Sequence, residues 1–553
     1  MKRLVPFWVA AGSGLAMSLA LPLVVRALSL RELDPAGWLE PVAWVALVPA
    51  ILALRAAPRP GRAALLGLAA GLAYFYASIH WVSHAMTAFG GVPGALAFLG
   101  LTLLVGYMAA HWAAAFAISA ALRARLGWPL WAQLPPVWAA LELCRNYFLT
   151  GFPWANLGYT QVRTPWVAQL ASATGVYGIA ALVVLVNAVL AEVIAARREH
   201  RPAPGRALAV AGAAVVLTLA YGAAHLSGVR DRMQDAPSFS VGIVQPNVDQ
   251  SRKNRARDNA GYILPRLVTP TVEADRAGAD LVVWPEASYP IYVPAGTRSF
   301  AGAWSGIPPL EHAHLLAGVA TFEYFTDPET GKRRGRVANQ NQLLSPSLEV
   351  LGTYQKNHLV PFGEYVPLAK YLRFLHQVVP SFAPSAPGAE LVQLSFAPAG
   401  GGAPVRLAPM ICFDAIFPEI NLAYARQAPE PDVLVNATND AWYGHSAGPY
   451  QFLAIVRMRA IEAERSVIRA AYAGVSAVIL PTGEVAPGAV EVGPVEPEDA
   501  PREEPPRLLL ADVPRLHGRT LYTIIGDAFA YACAAFTAAA LAASIVRARR
   551  ART

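Results

Sequence analysis

The sequence predicts a multi-span α-helical membrane domain joined to an extramembrane α/β domain. Of the 553 residues, 55% are hydrophobic and the mean hydropathy is +0.36, which is too apolar for an ordinary soluble protein. Long Ala/Leu/Val/Gly runs fill the chain before about residue 228, and one more apolar run lies near its end. We therefore expect a membrane domain over 1–230, a catalytic-type α/β domain over 231–514 and a final membrane helix with a basic tail over 515–553.

The apolar runs are long enough to cross a bilayer, since roughly 17 to 28 residues span about 30 Å of hydrocarbon as a helix. Seven runs precede the polar region, near 6–26, 38–55, 63–82, 92–120, 128–147, 165–196 and 207–227, and an eighth follows it near 520–546. The fifth run is the weakest, because prolines, Glu142 and Arg145 interrupt it. The sequence thus predicts eight spans.

The basic residues indicate membrane topology and not a nucleic-acid partner. The net charge is +8 and the isoelectric point is near 9.4, but the arginines and lysines cluster in short loops and at the ends of apolar segments. The densest clusters are at the two termini and in residues 197–206, which predicts that both ends are cytoplasmic. Seven preceding spans then place 231–514 on the opposite face.

Residues 238–514 show short β-like runs that alternate with helical stretches. The predicted strands are 239–244, 281–284, 314–319, 407–413, 433–437 and 475–480. Residues 451–471 carry apolar side chains at near-helical spacing, which predicts a helix that covers a sheet. The pattern is typical of an α/β domain.

Cys412 is the first candidate for chemistry. It ends an apolar run and precedes a helix predicted to begin near Ile416. A turn between a strand and a helix exposes a thiol, and helix N–H groups or a nearby cation favour its thiolate form. A packed structural cysteine explains this segment taken alone equally well.

Lys356 and Glu286 are two further candidates. Lys356 is a cation among apolar and turn-forming residues, and Glu286 follows the apolar run 281–284 and Pro285. A buried lysine needs a partner or a function, and a carboxylate at a strand end is placed to act as a base. Structural ion pairs, for example between Lys356 and Glu364, satisfy both residues as well.

Taken together, these segments closely resemble the apolipoprotein N-acyltransferase family, a membrane branch of the nitrilase superfamily. Three segments occur in the family's order and at compatible separations: Trp284-Pro285-Glu286, residues 354–367 around Lys356, and residues 408–414 around Cys412. Further matching segments are Leu149-Thr150-Gly151-Phe152-Pro153-Trp154, Gly158-Tyr159, Gln245-Pro246-Asn247, Asn341, Asn439-Asp440-Ala441-Trp442 and Gly448-Pro449-Tyr450-Gln451. One departure is that Phe413-Asp414 stand where many relatives have Tyr-Glu.

The resemblance implies an α-β-β-α sandwich and a Glu-Lys-Cys triad. Cys412 becomes the nucleophile, Glu286 the general base and Lys356 the cation that stabilises the tetrahedral intermediate. Glu364 and Asn341 become supporting residues that position Lys356, assist proton transfer or contact the acyl group. Phe413 and Asp414 are supporting residues without a defined role.

The implied reaction moves an acyl chain from a phospholipid through a Cys412 thioester to the N-terminal amine of a diacylglyceryl-cysteine apolipoprotein. It needs no cofactor, and no metal site is expected. The implied location is a bacterial inner membrane, with the catalytic domain on the periplasmic face. Trp442 and Tyr443 are candidates for the lipid entrance, although aromatic residues also serve as anchors at bilayer interfaces.

Two other functions fit parts of this pattern. A membrane-tethered amide hydrolase would use the same triad with water as acceptor, but a single anchor would suffice for it. A transporter or scaffold with a catalytically silent domain would need ionisable residues along its spans, and few are present apart from Glu142, Arg145 and Glu192. The many spans and the segment from Thr150 to Trp154 favour acyl transfer.

Overall fold

The computed structural model describes residues 4–22, 39–57, 59–326, 331–365, 385–444, 446–488, 490–492 and 504–550. Their contacts divide the chain into two compact units. The first comprises Met1–Ser83, Phe98–Gly228 and Thr520–Thr553, and the second comprises His84–Ala97 and Val229–Arg519. The short segment from His84 to Ala97 thus belongs with the α/β region and not with the helices that flank it in sequence.

Helices account for nearly all regular structure before residue 235 and after residue 520. They are α1 Val5–Ser18, α2 Val48–Arg55, α3 Pro60–Ile79, α4 Trp81–His84, α5 Gly94–Leu126, α6 Leu130–Tyr147, α7 Pro165–Ala168, α8 Ala171–Thr174, α9 Val176–Arg198, α10 Gly205–Gln234, α15 Leu521–Ile525 and α16 Ala528–Arg550. Five of these described helices, α3, α5, α9, α10 and α16, are long and apolar enough to cross a bilayer. This is consistent with a multi-pass membrane domain.

Several predicted spans differ from single long helices. The run near 6–26 contains the 14-residue α1, and the run near 38–55 contains a 3₁₀ turn, Glu40–Trp44, followed by α2. The run near 165–196 begins with two one-turn helices, since Gly175 interrupts it with a φ of +62° before α9 starts. The number of crossings remains a prediction.

The fifth predicted span coincides with α6. Its two charged residues, Glu142 and Arg145, form hydrogen bonds within the first unit. Glu142 accepts hydrogen bonds from the backbone N–H of Leu157 at 2.9 Å and from the indole of Trp138 at 3.1 Å. Arg145 donates to the side chain of Asn156. These bonds hold the loop after α6 in place, so two buried charged groups in an apolar helix have polar partners.

The second unit contains two β-sheets. The strands are β1 Ser238–Gln245, β2 Leu281–Val283, β3 Val293–Pro294, β4 His314–Thr326, β5 Arg333–Leu344, β6 Val350–Gln355, β7 Leu394–Phe396, β8 Val405–Ile411, β9 Val433–Thr438, β10 Ser466–Ala471, β11 Gly474–Ile479, β12 Val490–Val492 and β13 Arg507–Pro514. The first sheet has the order β13-β1-β2-β4-β5-β6, with β3 paired to β4, and the second has the order β12-β11-β10-β9-β8-β7. Pairing is parallel at β1/β2, β2/β4, β3/β4, β8/β9 and β9/β10.

The two sheets pack face to face and helices cover their outer faces. Phe396 of β7 contacts both Phe239 of β1 and His314 of β4, with ring centroids 5.7 and 5.1 Å apart. On the outer face of the first sheet, α12 (Ala260–Arg276) buries Ile263 and Leu267 against the core. The second sheet is covered by α13 (Pro418–Ala425) and α14 (Gly448–Ala463). The layers are α-β-β-α, as the resemblance implied.

The helix predicted over 451–471 is too long. Helix α14 ends at Ala463, Glu464 adopts a left-handed conformation with φ +52°, and residues 466–471 form β10. All six residues of β10 are buried, because the strand lies inside a sheet that is covered on both faces. Such a strand lacks the alternation of polar and apolar residues that distinguishes a strand from a helix.

Candidate active site

Cys412 lies at a sharp turn in the second sheet. Strand β8 ends at Ile411, and a 3₁₀ turn, Cys412–Ile416, follows at once. The cysteine itself has φ +47°, in the left-handed region that residues other than glycine rarely adopt. Its side chain is only 8% exposed. The turn therefore holds the thiol at the end of a buried strand in a strained conformation.

Asp414 fixes this turn. One carboxylate oxygen accepts hydrogen bonds from the backbone N–H of Ile411 at 3.0 Å and the hydroxyl of Tyr354 at 2.8 Å. The other accepts from the backbone N–H of His358 at 2.7 Å. Burial raises the pKa of Asp414 to about 6. Asp414 thus connects the cysteine turn to the segment that carries Lys356.

Lys356 follows β6 and lies between two carboxylates. Its ammonium nitrogen is 3.0 Å from Oε1 of Glu286 and 2.9 Å from Oε1 of Glu364. Glu364 accepts a further hydrogen bond, of 2.8 Å, from the backbone N–H of Val360. The lysine is 1% exposed and Glu286 is 7% exposed. A buried cation paired with two acids is well compensated, and it is fixed in one position.

The turn that carries Glu286 requires a glycine beside it. Glu286 follows β2, and Ala287 has φ +42°. A Cβ at Gly318 of the adjacent strand β4 would lie 1.8 Å from the carbonyl oxygen of Pro285. Only glycine allows the backbone of this turn to approach β4 so closely.

The electrostatics leave the acid and the lysine charged and the thiol neutral. Burial opposes both charges, but the two ammonium groups nearby, Lys356 and Lys253, lower the pKa of Glu286, and the carboxylates raise the pKa of Lys356 well above its usual value. Burial and the Glu286 carboxylate raise the pKa of Cys412 to about 12. Lys356 favours the thiolate form, as expected from the sequence, but burial and the Glu286 charge outweigh its effect.

A second buried ion pair supports the cysteine turn through hydrogen bonds from the neighbouring strands. Arg469 of β10 donates two hydrogen bonds to Asp440, at 2.8 and 2.7 Å, and one to the side chain of Asn436 at 2.5 Å. Asn436 in turn donates to the carbonyl oxygen of Cys412 at 3.4 Å. The chain of contacts links β9 and β10 to the cysteine.

Trp442 and Tyr443 lie in the 3₁₀ turn Asp440–Tyr443, after β9. Tyr443 is buried, and this burial is the main cause that raises its pKa well above the usual value, with a further contribution from the Cys412 charge. Trp442 is half-buried, and its ring meets that of Phe89 edge-on at 6.0 Å. Phe89 belongs to the segment from His84 to Ala97 that joins this unit.

Comparison with known proteins decides the family. The family described as apolipoprotein N-acyltransferase N-terminal domain matches residues 13–189, and carbon-nitrogen hydrolase matches residues 240–494. An apolipoprotein N-acyltransferase of Geobacter metallireducens is 34% identical over 519 residues, which cover 93% of this chain and 92% of that protein. The chain belongs to the apolipoprotein N-acyltransferase family. The resemblance inferred from the sequence is confirmed.

Other relatives agree. An apolipoprotein N-acyltransferase of Azotobacter vinelandii is 34% identical over 464 residues, which cover 81% of this chain and 82% of that protein. Among solved structures, Saccharomyces cerevisiae Nit3, a member of branch 10 of the nitrilase superfamily, is 16% identical, with a TM-score of 0.33 over 52% of this chain and 93% of Nit3. The carbon-nitrogen hydrolase match places the nitrilase-superfamily fold in the second unit of this apolipoprotein N-acyltransferase family member.

The structure brings together Glu286, Lys356 and Glu364 and places Cys412 where their charges act on its thiol. The two asparagines of β5 differ in their hydrogen bonds. Asn339 donates to Oε1 of Glu286 at 2.7 Å, whereas the amide of Asn341 is buried and has no hydrogen-bond partner among the described residues. The sequence singled out Asn341 and missed Asn339, although both lie on the same face of one strand.

Sequence reasoning also missed Lys253. This lysine ends the one-turn helix α11 (Gln250–Lys253), and its ammonium group donates to the carbonyl oxygen of Glu286 at 2.8 Å. It lies among several charged residues of a polar segment, which is typical of a solvated surface. Only the tertiary fold shows that this one cation of the segment reaches Glu286.

Proposed function

We propose that this chain transfers an acyl chain from a phospholipid, through a thioester on Cys412, to the N-terminal amine of a diacylglyceryl-cysteine apolipoprotein. Family membership supports the class of reaction. The observation that carries the assignment of residues is the buried Lys356, which contacts the carboxylates of Glu286 and Glu364 close to a strained cysteine. No other titratable cluster in the described residues is arranged around a nucleophile in this way.

In the first half-reaction, the sulfur of Cys412 attacks the ester carbonyl carbon of the phospholipid. Because the resting thiol is protonated, its proton passes to the Glu286 carboxylate as the C–S bond forms. The ammonium group of Lys356 stabilises the oxyanion. The C–O bond then breaks, and the alkoxide leaves as lysophospholipid after taking the proton from Glu286.

In the second half-reaction, the N-terminal amine of the lipoprotein attacks the thioester carbonyl. Glu286 takes a proton from the attacking nitrogen, Lys356 again stabilises the oxyanion, and the C–S bond breaks. The proton returns to the sulfur, which regenerates the Cys412 thiol and leaves an amide. Exclusion of water from the thioester favours the amine over hydrolysis.

Glu364 orients Lys356 in this scheme. Its own hydrogen bond from the backbone N–H of Val360 fixes its carboxylate, and the carboxylate fixes the ammonium group. Trp442 and Tyr443 line the entrance for the acyl chain, with Phe89 beside Trp442. Phe413 packs on Phe417, with ring centroids 5.1 Å apart, and shields the cysteine turn.

The test is mass spectrometry of the purified protein after incubation with phospholipid. An acyl group is expected on the Cys412 peptide, and it should leave as an amide when a diacylated lipopeptide is added. Cys412→Ala should abolish labelling, while Cys533→Ala, which removes a cysteine of the first unit, serves as the matched control. Acylation elsewhere would exclude Cys412 as nucleophile, and release of free fatty acid alone would favour the hydrolase.

We further propose that the protein lies in a bacterial inner membrane with the second unit on the periplasmic face and both termini in the cytoplasm. The charge distribution supports this orientation. In intact spheroplasts, a membrane-impermeant maleimide should label Lys332→Cys, an exposed position just before β5, and not Arg549→Cys near the C-terminus. The reverse labelling pattern would overturn the orientation.

A further inference from the structure

Lys253 is a second cation beside the acid of the site. Its ammonium nitrogen is 2.8 Å from the carbonyl oxygen of Glu286 and 4.0 Å from the ring centroid of Tyr472. The residue is only partly exposed, and burial lowers its pKa to about 8. An ammonium group held against a carbonyl oxygen and an aromatic face has a fixed position.

The helix that carries Lys253 is capped locally and anchored to the residue that precedes the turn after β9. Asp249 caps α11 by accepting a hydrogen bond of 3.0 Å from the backbone N–H of Arg252. Gln250 accepts one of 2.8 Å from the side chain of Asn439, which begins the turn carrying Trp442 and Tyr443. These contacts hold Lys253 in place independently of its own bond to Glu286.

We propose that Lys253 is a positioning residue for Glu286, holding its main chain and supplying positive charge beside its carboxylate. The inference rests on the proposed function, in which Glu286 is the base. The charged and titratable groups that face Glu286 are Lys356, Lys253 and Cys412, with Glu364 on the other side of Lys356. Those that act on Lys253 are Glu286, Cys412 and Lys356.

The two lysines therefore have different roles toward Glu286. Lys356 contacts the Glu286 carboxylate directly and also faces the reacting carbonyl in the proposed mechanism. Lys253 reaches Glu286 from the main-chain side and does not need to move during the reaction. While the charge of Lys356 also stabilises the oxyanion, Lys253 keeps the base ionised and able to accept the thiol proton.

Three substitutions separate charge from hydrogen bonding. Lys253→Met removes both, Lys253→Gln keeps a donor without charge, and Lys253→Arg keeps both. The matched control is Arg255→Met, which removes one positive charge at an exposed position of the same segment. The rate of Cys412 acylation is measured from pH 3 to pH 8 by mass spectrometry.

We expect the acid limb of the rate profile to move up by about one pH unit in Lys253→Met and Lys253→Gln, with a rate about tenfold lower at the acid end. Lys253→Arg should stay within about threefold of the native protein, and Arg255→Met should match it. Asp414, whose pKa is about 6, titrates above Glu286 and is held by other residues, so its contribution is common to all variants. A native profile in Lys253→Gln would overturn the role of charge.

A second readout does not depend on acyl transfer. Alkylation of Cys412 by iodoacetamide should show an inflection where Glu286 titrates, because the Glu286 charge acts on the thiol. This inflection should rise by the same amount in Lys253→Met and Lys253→Gln. If the native protein forms no thioester, the proposed function fails while the inflection still tests Lys253; if the inflection stays unchanged, the inference on Lys253 fails.

Discussion

The hydroxyl of Tyr354 donates a hydrogen bond of 2.8 Å to Oδ2 of Asp414 and so joins the last strand of the first sheet to the cysteine turn of the second. Both side chains are fully buried. Lys356 lies two residues after Tyr354, and Cys412 lies two residues before Asp414. This bond therefore helps to set the distance between the proposed nucleophile and its cation.

Tyr354→Phe should weaken this link without removing a reacting group. Loss of one buried hydrogen bond is expected to lower the free energy of unfolding by about 1 to 2 kcal/mol. Cys412 acylation should slow by less than about tenfold, since Asp414 keeps two backbone donors. Thermal unfolding in detergent and the acylation rate measure the two effects, and a loss comparable to that in Cys412→Ala would contradict a purely supporting role.

The stability difference between the native protein and Asp414→Asn should depend on pH. Burial raises the pKa of Asp414 to about 6, so the folded state favours the protonated acid more than the unfolded chain does. The stabilisation is complete below about pH 4 and is lost as the pH rises through about 6, a change of about 3 kcal/mol. Thermal unfolding of both proteins from pH 4 to pH 7 should show the difference shrink, and a constant difference would contradict the raised pKa.

Glu286→Gln should change two properties of Cys412 in opposite directions. Without the base, acylation by phospholipid should fall by at least about 100-fold. Without the carboxylate charge, the pKa of the thiol should fall, so alkylation by iodoacetamide at pH 8 should accelerate by about tenfold. If both rates fell together, the glutamate would be needed for folding of the site and not as a base.

Gly318→Ala should distort the turn that carries Glu286. The added methyl group would lie 1.8 Å from the carbonyl oxygen of Pro285, so the backbone has to shift. We expect a loss of about 2 to 4 kcal/mol in the free energy of unfolding together with slower acylation. Gly261→Ala is the control, because its Cβ meets no atom within 4 Å on helix α12. Similar thermal unfolding of the two variants would contradict the close approach.

Trp442→Ala tests the entrance for the acyl chain. If Trp442 contacts the donor, the phospholipid concentration at half-maximal acylation should rise by about tenfold with little change in the maximal rate. Phe89→Ala should have a smaller effect of the same kind, because Phe89 contacts Trp442 edge-on. Unchanged donor dependence, with only a lower melting temperature, would indicate that Trp442 is a packing residue.

The fold was predictable where periodicity and length are informative. The six predicted strands all coincide with strands of the structure, because buried strands of an α/β domain are short apolar runs between turn signals. Five agree to within about two residues at each end, whereas the strand predicted over 314–319 extends to Thr326. The helix over 451–471 was too long, because the all-buried β10 shows the same apolar density as the helix before it. Local sequence does not distinguish these two structures.

The site was predictable in its charged centre and not in its surroundings. Glu286, Lys356 and Cys412 lie in motifs whose joint order is specific, whereas Asn339 and Lys253 depend on strand register and on the path of a loop. The protonation state of the Cys412 thiol could not be predicted from the local sequence either. Whether the Cys412 thiol is charged depends on how completely the fold buries it, and the flanking residues do not determine that.

The backbone conformation of Cys412 bears on laboratory selection for thermal stability. With φ +47°, a residue with a side chain is strained at this position by about 1 kcal/mol, a cost that glycine would not carry. A selection for thermal stability alone would therefore give no reason to keep a strained cysteine here. At this position, the residue that the backbone favours differs from the residue that the proposed reaction needs.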